Sequence, residues 1–421
     1  MTVAGAVHVS HPFQQYPRLC FARAAARSES FAGSAAGASA PPEPARARDD
    51  LLIGAASGTV EADVRIRARG ELVERMSNVV AGRQWEGDQT GETSYARLTA
   101  RGAPAVDPRA WPELAEVADI AERPMVWTSG VSLTSGAEVL VPACTAYLRH
   151  RPPSGAPPLM SPGSAGLSAH RDTELARRHG LLEVLERDLF WRTWYDLAPA
   201  TVLADTPMPE LTLLDLDRTA LLLAGPGGTA CVAVCLADRS GRRQSFGARA
   251  VDAVDGPRLA AATEVATHEA LMVRWSLRTP SALAAWRALA DSAADADSAG
   301  ALPTGPLEHA LHTYHRQDSL GHLLSHAAAP GTPAPRTGTA PRTRTDPPTG
   351  AGRADLAGLL ADHTGRDVVW VDTTIPSIRI DSDGGTVVGR VIAPGARRLP
   401  GSERRLPRGL RTRTRLPHPL G

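Results

Sequence analysis

The sequence contains no lysine, so all 46 of its basic residues are arginine. A protein without lysine cannot form a Schiff base through a lysine amine, and it cannot carry the lysine of a P-loop phosphate site. The 45 acidic residues almost balance the arginines and leave a formal net charge of +1 at pH 7. This balance argues against general binding to nucleic acid or to a membrane surface.

The sequence is also poor in cysteine and lacks a long uninterrupted apolar segment. Its cysteines (Cys20, Cys144, Cys231 and Cys235) are too few and too scattered for a disulfide scaffold or a zinc ribbon. The longest uncharged run, at residues 219–237, is broken by Gly-Pro-Gly-Gly and predicts two strands joined by a turn, not a membrane span. The N-terminus has no apolar core of the signal-peptide type. These absences predict a cytoplasmic protein with reduced thiols, of which Cys231 and Cys235 are buried on one strand.

Composition and hydrophobic periodicity predict four regions in this chain. They are a variable, partly disordered segment (1–50, rich in Ala, Ser and Pro from residue 24), a core of alternating helical and strand patterns (51–280), a helical segment with a Pro/Thr/Arg-rich linker (281–353), and a return to helix and strands with a proline-containing tail (354–421). Strands are predicted at residues 139–148 and 229–238. The interrupted pattern favours an α+β fold over a regular doubly wound sheet.

The pattern Glu-x-x-Glu-Arg occurs twice in the sequence. One copy lies in HGLLEVLERD, residues 179–188, within a helix predicted over residues 174–195. When this helix is wound at 100° per residue, Glu183 and Glu186 lie on its apolar side and Asp188 lies outside it. Buried carboxylates must be neutralised by protons, by arginines or by a metal ion. This copy therefore predicts either a ligand site or a buried Glu–Arg network.

The other copy, in GELVER, places Glu71 and Glu74 with Arg67 on a polar helix stripe. Taken alone, that stripe is typical of a solvent-exposed face. Four converging carboxylates, however, are more than one cation needs, and they suit Mg²⁺ ions that bridge the phosphates of a nucleotide. Without lysine, arginines must hold those phosphates, and each copy contributes one, Arg75 and Arg187.

Several segments together resemble the YcaO-domain family. They are IRARGELVERMS (66–77), WTSGVSLTSGAEVLVPA (127–143), the segment from GSAGLSAH to LFWRTW (163–194), the segment from GARAVDAVDG to EALMVRW (247–275), and VVWVDTTIP through VIAPG (368–395). The resemblance covers residues 52–280 and 354–421. It implies an enzyme that uses ATP and Mg²⁺ to phosphorylate a peptide-bond oxygen. In pathways to ribosomal natural products such as bacteriocins, this converts Cys, Ser or Thr of a precursor peptide into azoline rings.

The resemblance also implies roles for individual residues. Those implied to bind Mg²⁺ are Glu71, Glu74, Glu183 and Glu186, and those implied to contact the nucleotide are Ser164, Arg274 and Glu174. Azoline-forming members often end in a Pro-x-Pro-x-Pro tail near the active site, and this chain keeps Pro417 and Pro419. His418 or the Gly421 carboxylate is then a candidate base for removing a proton from the attacking thiol or hydroxyl.

The sequence departs from the family pattern at four positions, which are Ser57 for a common lysine, Arg67 for a serine, Ala165 for an asparagine and Met272 for a glutamine. The lost contacts would weaken ATP binding unless Arg67 acts as a phosphate ligand. Two alternatives therefore stay open: the same activation used to form a thioamide or amidine, and a degenerate, non-catalytic subunit that binds a peptide or a partner.

The expected partners follow from the same resemblance. They are a precursor peptide, a separate ThiF-like protein that binds its leader, a flavin-dependent dehydrogenase and a second copy of the chain in a homodimer. A histidine-rich segment at residues 307–326 carries His309, His312, His315, His322 and His326. Without cysteines or a dense carboxylate shell around them, these histidines are predicted to lie on a helix surface and to bind no metal.

Overall fold

The computed structural model describes most of the chain. The described residues are 6–27, 51–83, 91–152, 154, 159–295, 302–316, 318–327, 355–380, 385–407, 414 and 416–420. Helices pack on antiparallel sheets, so the predicted α+β fold is confirmed. Within this part of the chain, no helix combines the length and apolar character needed to span a membrane.

The strands and helices follow one another in an irregular order. The strands are β1 His8–Ser10, β2 Cys20–Arg27, β3 Leu51–Gly58, β4 Glu92–Thr93, β5 Met125–Ser132, β6 Glu138–Pro142, β7 Leu167–His170, β8 Ala200–Val202, β9 Leu216–Ala224, β10 Ala230–Asp238, β11 Ser245–Val251, β12 Val369–Asp372 and β13 Val387–Ile392. The helices are α1 Glu61–Arg83, α2 Tyr95–Ala100, α3 Pro112–Ala115, α4 Ala143–Ala146, α5 Thr173–Tyr195, α6 Pro209–Leu213, α7 Gly256–Ser276, α8 Pro280–Asp295, α9 Pro306–Arg316, α10 Ser319–Leu324 and α11 Leu356–Thr364. Short 3-10 turns occupy Pro108–Ala110, Pro226–Gly228 and Glu403–Arg405.

Three sheets form the framework. Their strand orders are β1-β2-β3, β11-β10-β9-β8, and β4-β5-β12-β13-β7 with β6 paired to β5. In the described part of the chain, β3, β7 and β11 each lie at the end of a sheet. An edge strand carries N–H groups without a neighbouring strand to accept them, so each needs another acceptor.

Glycines allow two helices to pack unusually close to two of these edge strands. A Cβ atom on Gly54 of β3 would lie 2.1 Å from the carbonyl oxygen of Ala68 on α1. A Cβ atom on Gly247 of β11 would lie 2.2 Å from the carbonyl oxygen of Ala266 on α7. Neither site admits a side chain without moving a helix backbone, and this closeness lets the helices' side chains reach the strands' amides.

Helix α5 is the central element of the core, and the predicted placement of Asp188 outside its buried side is wrong. The helix packs against β10, β11, β13 and α11, and its Trp194 and Tyr195 are fully buried. Asp188 is also buried, and it accepts hydrogen bonds from Arg192 and His363, both at 2.7 Å. A wheel of one apolar arc fails here because later parts of the chain cover a second side of the helix.

Several local predictions can be compared with the structure. The run at 219–237 does form two strands and a turn, and Cys231 and Cys235 are buried as predicted. The strand predicted at 139–148 ends at Pro142, where helix α4 begins. Strand β2 continues to Arg27, into the stretch predicted to be poorly ordered. Most of the predicted linker lies outside the described residues.

Candidate functional site

A cavity of about 680 Å³ lies where α1, α5 and α7 meet the three edge strands. The glutamates in its lining are Glu71, Glu74, Glu183, Glu186 and Glu269, and the arginines are Arg67, Arg75, Arg171, Arg187 and Arg249. The structure therefore brings together the two predicted Glu-x-x-Glu-Arg copies and adds a fifth carboxylate. The first copy faces this cavity, so its stripe is not a solvent-exposed face.

Each of these glutamates accepts a hydrogen bond from a backbone N–H in or next to an edge strand. The pairs, with their N···O distances, are Ala55–Glu71 (2.7 Å), Ala169–Glu74 (2.9 Å), Gly166–Glu183 (3.0 Å), Ala250–Glu186 (3.2 Å) and Ala248–Glu269 (3.0 Å). The carboxylates thus satisfy amides that have no strand partner, and the amides in turn fix the carboxylates. One hydrogen bond uses one oxygen of each carboxylate and leaves capacity for further ligands.

Sequence reasoning missed Glu269, although a signal for it exists. Gly54 and Ala55 on β3 precede the helix that carries Glu71, and Gly247 and Ala248 on β11 precede the helix that carries Glu269. In both cases the glycine admits the helix and the following alanine donates to the glutamate. A strand with Gly-Ala followed by a helix with an inward glutamate is therefore a repeated structural unit of the site.

Burial, together with nearby carboxylates, raises the pKa of several of these carboxyl groups. Burial, with the nearby charges of Glu71 and Glu183, raises the pKa of Glu74 well above its usual value. Burial also raises the pKa of Glu183 to about 7 and that of Glu269 to about 7, with Arg187 opposing the rise in both. Such a cluster holds protons near neutral pH, and a bound cation would displace them.

Arg187 lies among the glutamates of α5 and α7. One guanidinium nitrogen is 3.7 Å from Oε1 of Glu186. Burial by itself lowers the pKa of Arg187, but Glu186, Glu183 and Glu269 together raise it. Arg187 by itself cannot neutralise three carboxylates, so it compensates the glutamates of α5 and α7 only in part.

Arg75 and Arg67 are held on the strand side of the cavity. Arg75 pairs with Oε1 of Glu71 at 2.5 Å and donates to the carbonyl oxygen of Ile53. Arg67 donates to the carbonyl oxygen of Ser57 at 2.5 Å. Burial and the positive charge of Arg249 lower the pKa of Arg67. Arg67 and Arg249 both line the cavity, so their two positive charges create a place where an anion binds favourably.

Arg390, which the sequence did not single out, holds the loop that carries Ser164. Its side chain is buried and donates to the carbonyl oxygens of Pro162, Gly163 and Ala165, at 3.1, 2.9 and 3.0 Å. Burial lowers the pKa of Arg390 to about 9, with Arg398 adding to the effect. Ser164 itself lines the cavity, as expected of a nucleotide contact, and Arg390 fixes the backbone on both sides of it.

Two residues expected to contact the nucleotide lie elsewhere. Glu174 is exposed at the start of α5 and pairs with Arg177 at 2.7 Å. Arg274 donates to the carbonyl oxygen of Arg243, and its guanidinium lies 5.4 Å from the ring centre of Tyr314. Neither belongs to the described lining of the cavity. Arg274 lies five residues, or about 1.4 turns, beyond Glu269 on α7, so it points to another side of the helix, toward Tyr314 of α9.

The tail lies at the far end of α5. Trp194 donates to the carbonyl oxygen of Leu416 at 2.8 Å, and His418 is buried beside Tyr195. Tyr195 is nine positions beyond Glu186, which is about 13 Å along a helix axis. Burial and the charge of His309 lower the pKa of His418 to about 3. The structure does not bring His418 to the cavity, and Gly421 lies outside the described residues.

A model of the family described as "YcaO cyclodehydratase, ATP-ad Mg2+-binding" matches residues 55–397, which include the five glutamates. The chain belongs to the YcaO family. A search of curated proteins finds no match.

Solved structures agree with the YcaO family at the level of the fold. A heterocyclase in complex with substrate and cofactor matches 93% of this chain with a TM-score of 0.61 and 19% identity, and this chain spans 50% of its length. YcaO from Methanopyrus kandleri, bound with AMPPCP and Mg²⁺, matches 93% of this chain and 85% of its own, with a TM-score of 0.55 and 17% identity. The E. coli microcin synthetase McbBCD complex with pro-MccB17 bound matches 92% of this chain and 87% of the other, with a TM-score of 0.57 and 12% identity.

Proposed function

We propose that this YcaO protein uses ATP and Mg²⁺ to activate backbone amides of a ribosomally made precursor peptide and forms thiazoline or oxazoline rings by cyclodehydration. The observation that carries the proposal is the convergence of five amide-bound glutamates and several arginines on one cavity. Carboxylates at fixed positions are the ligands that Mg²⁺ prefers, and arginines suit phosphates.

The residues present fit such a cofactor. Glu71, Glu74, Glu183, Glu186 and the additional Glu269 would hold Mg²⁺. Burial, with added repulsion from neighbouring glutamates, raises the pKa values of Glu74, Glu183 and Glu269, so a divalent ion relieves an existing electrostatic cost. ATP bound with Mg²⁺ supplies the phosphoryl group that converts the amide oxygen into a leaving group.

Arginines take the place of the family's lysine in this proposal. Arg67 lies against Ser57, the position where the family commonly has a lysine, and Gly58 leaves room for its guanidinium. Arg249 faces the same space. We assign Arg67 and Arg249 to the phosphates, together with Arg75 and Arg187. Ser164 would contact the nucleotide from the loop that Arg390 holds.

Ring formation also needs a proton acceptor for the peptide's thiol or hydroxyl. His179 lines the cavity, and burial and the charge of Arg249 lower its pKa to about 4, so its imidazole is neutral at pH 7. A neutral imidazole has a lone pair that accepts a proton. The low pKa makes this imidazole a weak base, but phosphates bound by Arg249 would offset one cause of the lowering and make it more basic. We propose His179 for this role on that condition, with the Gly421 carboxylate as the alternative from the tail.

Partners remain part of the proposal. The microcin synthetase neighbour is a multi-subunit complex with a bound pro-peptide, which supports a precursor peptide and separate partner subunits for this chain. We propose a ThiF-like leader-binding protein, a flavin-dependent dehydrogenase that oxidises the rings, a homodimer and a cytoplasmic location.

Met272 gives specific support to a second candidate, a non-catalytic subunit. It lines the cavity where the family has a glutamine, so one polar nucleotide contact is missing. Calorimetry with Mg²⁺–ATP separates this candidate from the first. A third candidate, thioamide or amidine formation, uses the same activation with an external nucleophile.

Matched glutamines on α7 test the proposal. Glu269→Gln removes a cavity carboxylate but keeps an oxygen that can accept from Ala248, whereas Glu264→Gln changes an exposed glutamate of the same helix. We expect Glu269→Gln to lower ATP hydrolysis by more than about 10-fold and Glu264→Gln to leave it unchanged.

The precursor peptide is then followed by mass spectrometry for loss of water. Water loss that depends on ATP supports ring formation. ATP hydrolysis with a mass change other than water loss supports thioamide or amidine formation. If the wild-type protein binds no Mg²⁺–ATP in calorimetry, the enzymatic proposal fails and the non-catalytic candidate replaces it.

A further inference from the structure

A second cluster of potential metal ligands lies beyond the C-terminal end of α5, separate from the glutamate cavity. It contains His309 of α9, Glu403 and His418 of the tail, whose exposed fractions are 0%, 1% and 4%. One ligand atom from each residue can be chosen so that all lie within 4.8 Å of one another. The prediction that His309 lies on a helix surface is wrong, because α9 packs its face against residues 403 and 418.

Backbone carbonyls orient both imidazoles. Nδ1 of His309 lies 3.0 Å from the carbonyl oxygen of Gly305, and Nε2 of His418 lies 3.0 Å from that of Pro400. Each of these nitrogens must carry the hydrogen, because a carbonyl oxygen only accepts. The other nitrogen of each ring is then available as a ligand. A backbone carbonyl that fixes the ring in this way is the usual support of a metal-binding histidine, and the bond from His309 to Gly305 is the one that can persist when an ion binds.

The two available nitrogens lack suitable donors in the described residues. Nε2 of His309 lies 3.1 and 3.2 Å from the two oxygens of Glu403, so either a second proton on the imidazole or a metal ion must lie between them. Nδ1 of His418 is buried without a hydrogen-bond partner in the described part of the chain. Unpaired polar atoms at such depth cost free energy, which a shared cation would remove.

We propose that His309, Glu403 and His418 bind a Zn²⁺ ion that fastens the C-terminal tail to α9. Two imidazole nitrogens and a carboxylate oxygen are a preferred donor set for zinc, with a further position left for water. Ligand atoms about 2.1 Å from a tetrahedral zinc ion are about 3.4 Å apart, close to the separations of 3.1 and 3.2 Å between His309 and Glu403.

The binding requires one local rearrangement. The rings of His309 and His418 are stacked, with centroids 4.0 Å apart and 16° between their planes. An imidazole lone pair lies in the plane of its ring, so two parallel rings cannot direct lone pairs at one ion. The His418 ring must therefore turn about its side-chain bonds and give up its hydrogen bond to Pro400.

Two hydrogen-bond donors stabilise the charged form of Glu403 in this position. Its Oε1 accepts hydrogen bonds from the hydroxyl of Tyr195 at 2.7 Å and from the backbone N–H of His418 at 3.2 Å. The ion would join three segments, since His309 and Glu403 are 94 positions apart and Glu403 and His418 are 15 apart. It would therefore order the tail independently of nucleotide binding in the cavity.

Full-length protein with any affinity tag removed tests the proposal. After dialysis against a chelator, it is titrated with Zn²⁺ in excess Mg²⁺, which occupies the glutamate cavity. We expect stoichiometric binding at micromolar Zn²⁺ and a higher melting temperature. Co²⁺ used in place of Zn²⁺ should give the intense visible absorption of a four-coordinate site with nitrogen ligands.

Histidine-to-glutamine variants locate the ion. His309→Gln and His418→Gln should weaken Zn²⁺ binding by more than about 10-fold, whereas His315→Gln, an exposed histidine on the same helix, should not. The proposal is overturned if the wild-type protein binds no Zn²⁺, if all three variants bind it equally well, or if Co²⁺ gives only the weak spectrum of six oxygen ligands. The Co²⁺ spectrum is measured on wild-type protein, so it tests the proposal even if a variant does not fold.

Discussion

Removal of one cavity carboxylate should stabilise the metal-free protein at alkaline pH. Burial raises the pKa of Glu183 from 4.5 to about 7, against the opposing charge of Arg187 and with the repulsion of Glu186. A shift of this size between the unfolded and folded states corresponds to about 3 kcal/mol of free energy. Glu183→Gln removes this cost and keeps an oxygen that can accept the hydrogen bond from Gly166.

The pH dependence fixes the sign of the effect. Below pH 4.5, Glu183 is protonated in the folded and the unfolded protein, so the folded protein buries no charge at this position and loses no stability there. As the pH rises through about 7, the folded protein must release this proton among other carboxylates, and stability is lost. We expect Glu183→Gln to raise the free energy of unfolding by up to about 3 kcal/mol above this range and to change it little at acidic pH.

Urea unfolding with excess EDTA, at mildly acidic and mildly alkaline pH, measures both effects. Glu174→Gln is the matched control, because Glu174 lies on the same helix but is exposed and paired with Arg177. At alkaline pH, Mg²⁺ should make the wild-type protein more stable than Glu183→Gln, since binding the ion raises the free energy of unfolding more in the wild type than in the variant. If Glu183→Gln destabilises the protein equally at both pH values, Glu183 belongs to a structural network with Arg187 and the reasoning is refuted.

Two further predictions concern the supports of the cavity. Gly247→Ala should destabilise the protein by about 1–3 kcal/mol and reduce Mg²⁺ binding, because the added Cβ would lie 2.2 Å from the carbonyl oxygen of Ala266. Thermal unfolding and calorimetry measure these effects, with Gly256→Ala as the control because no atom lies within 4 Å of its added Cβ. Arg390→Met should reduce the free energy of ATP binding by more than the free energy of unfolding, because the carbonyl oxygens on both sides of Ser164 lose the guanidinium that donates to them. Equal ATP affinity in the variant and the wild type would contradict this role.

The sequence sufficed to predict the convergence of Glu71, Glu74, Glu183 and Glu186 but not the means by which they are held. Spacing along a helix reports which side chains share a face, and that information is local. The hydrogen bonds from edge-strand amides depend on which strand ends each sheet, and the pairing of strands distant in sequence decides this. Glu269 was missed for the same reason, because its donor lies on an edge strand.

The errors at Asp188 and His309, and the position of Arg274 away from the cavity lining, also arise from contacts between distant segments. The sequence predicts that Asp188 and His309 lie on exposed helix faces, whereas only the family resemblance implies a nucleotide contact for Arg274. In the structure, residues 363 and 397 cover Asp188, the helix at 306–316 covers Arg274, and residues 403 and 418 cover His309. Helix periodicity could not place these chain segments, which lie up to 209 positions away.

The absence of lysine has a physical consequence for this cavity. Arg67 and Arg249 line the same cavity, and burial together with the charge of Arg249 lowers the pKa of Arg67. A lysine in the same position starts from a pKa near 10.4 and would give up its proton far more readily than a guanidinium, which starts about two units higher or more. An arginine-only cavity therefore stays cationic across neutral pH while its glutamates exchange protons.

We expect the pH dependence of Mg²⁺–ATP binding to follow Glu183 and Glu269, whose pKa values are both about 7, so that affinity rises with pH through this range. Calorimetry in two buffers of different ionisation enthalpy measures the protons released, and binding without proton release near neutral pH would contradict the raised pKa values.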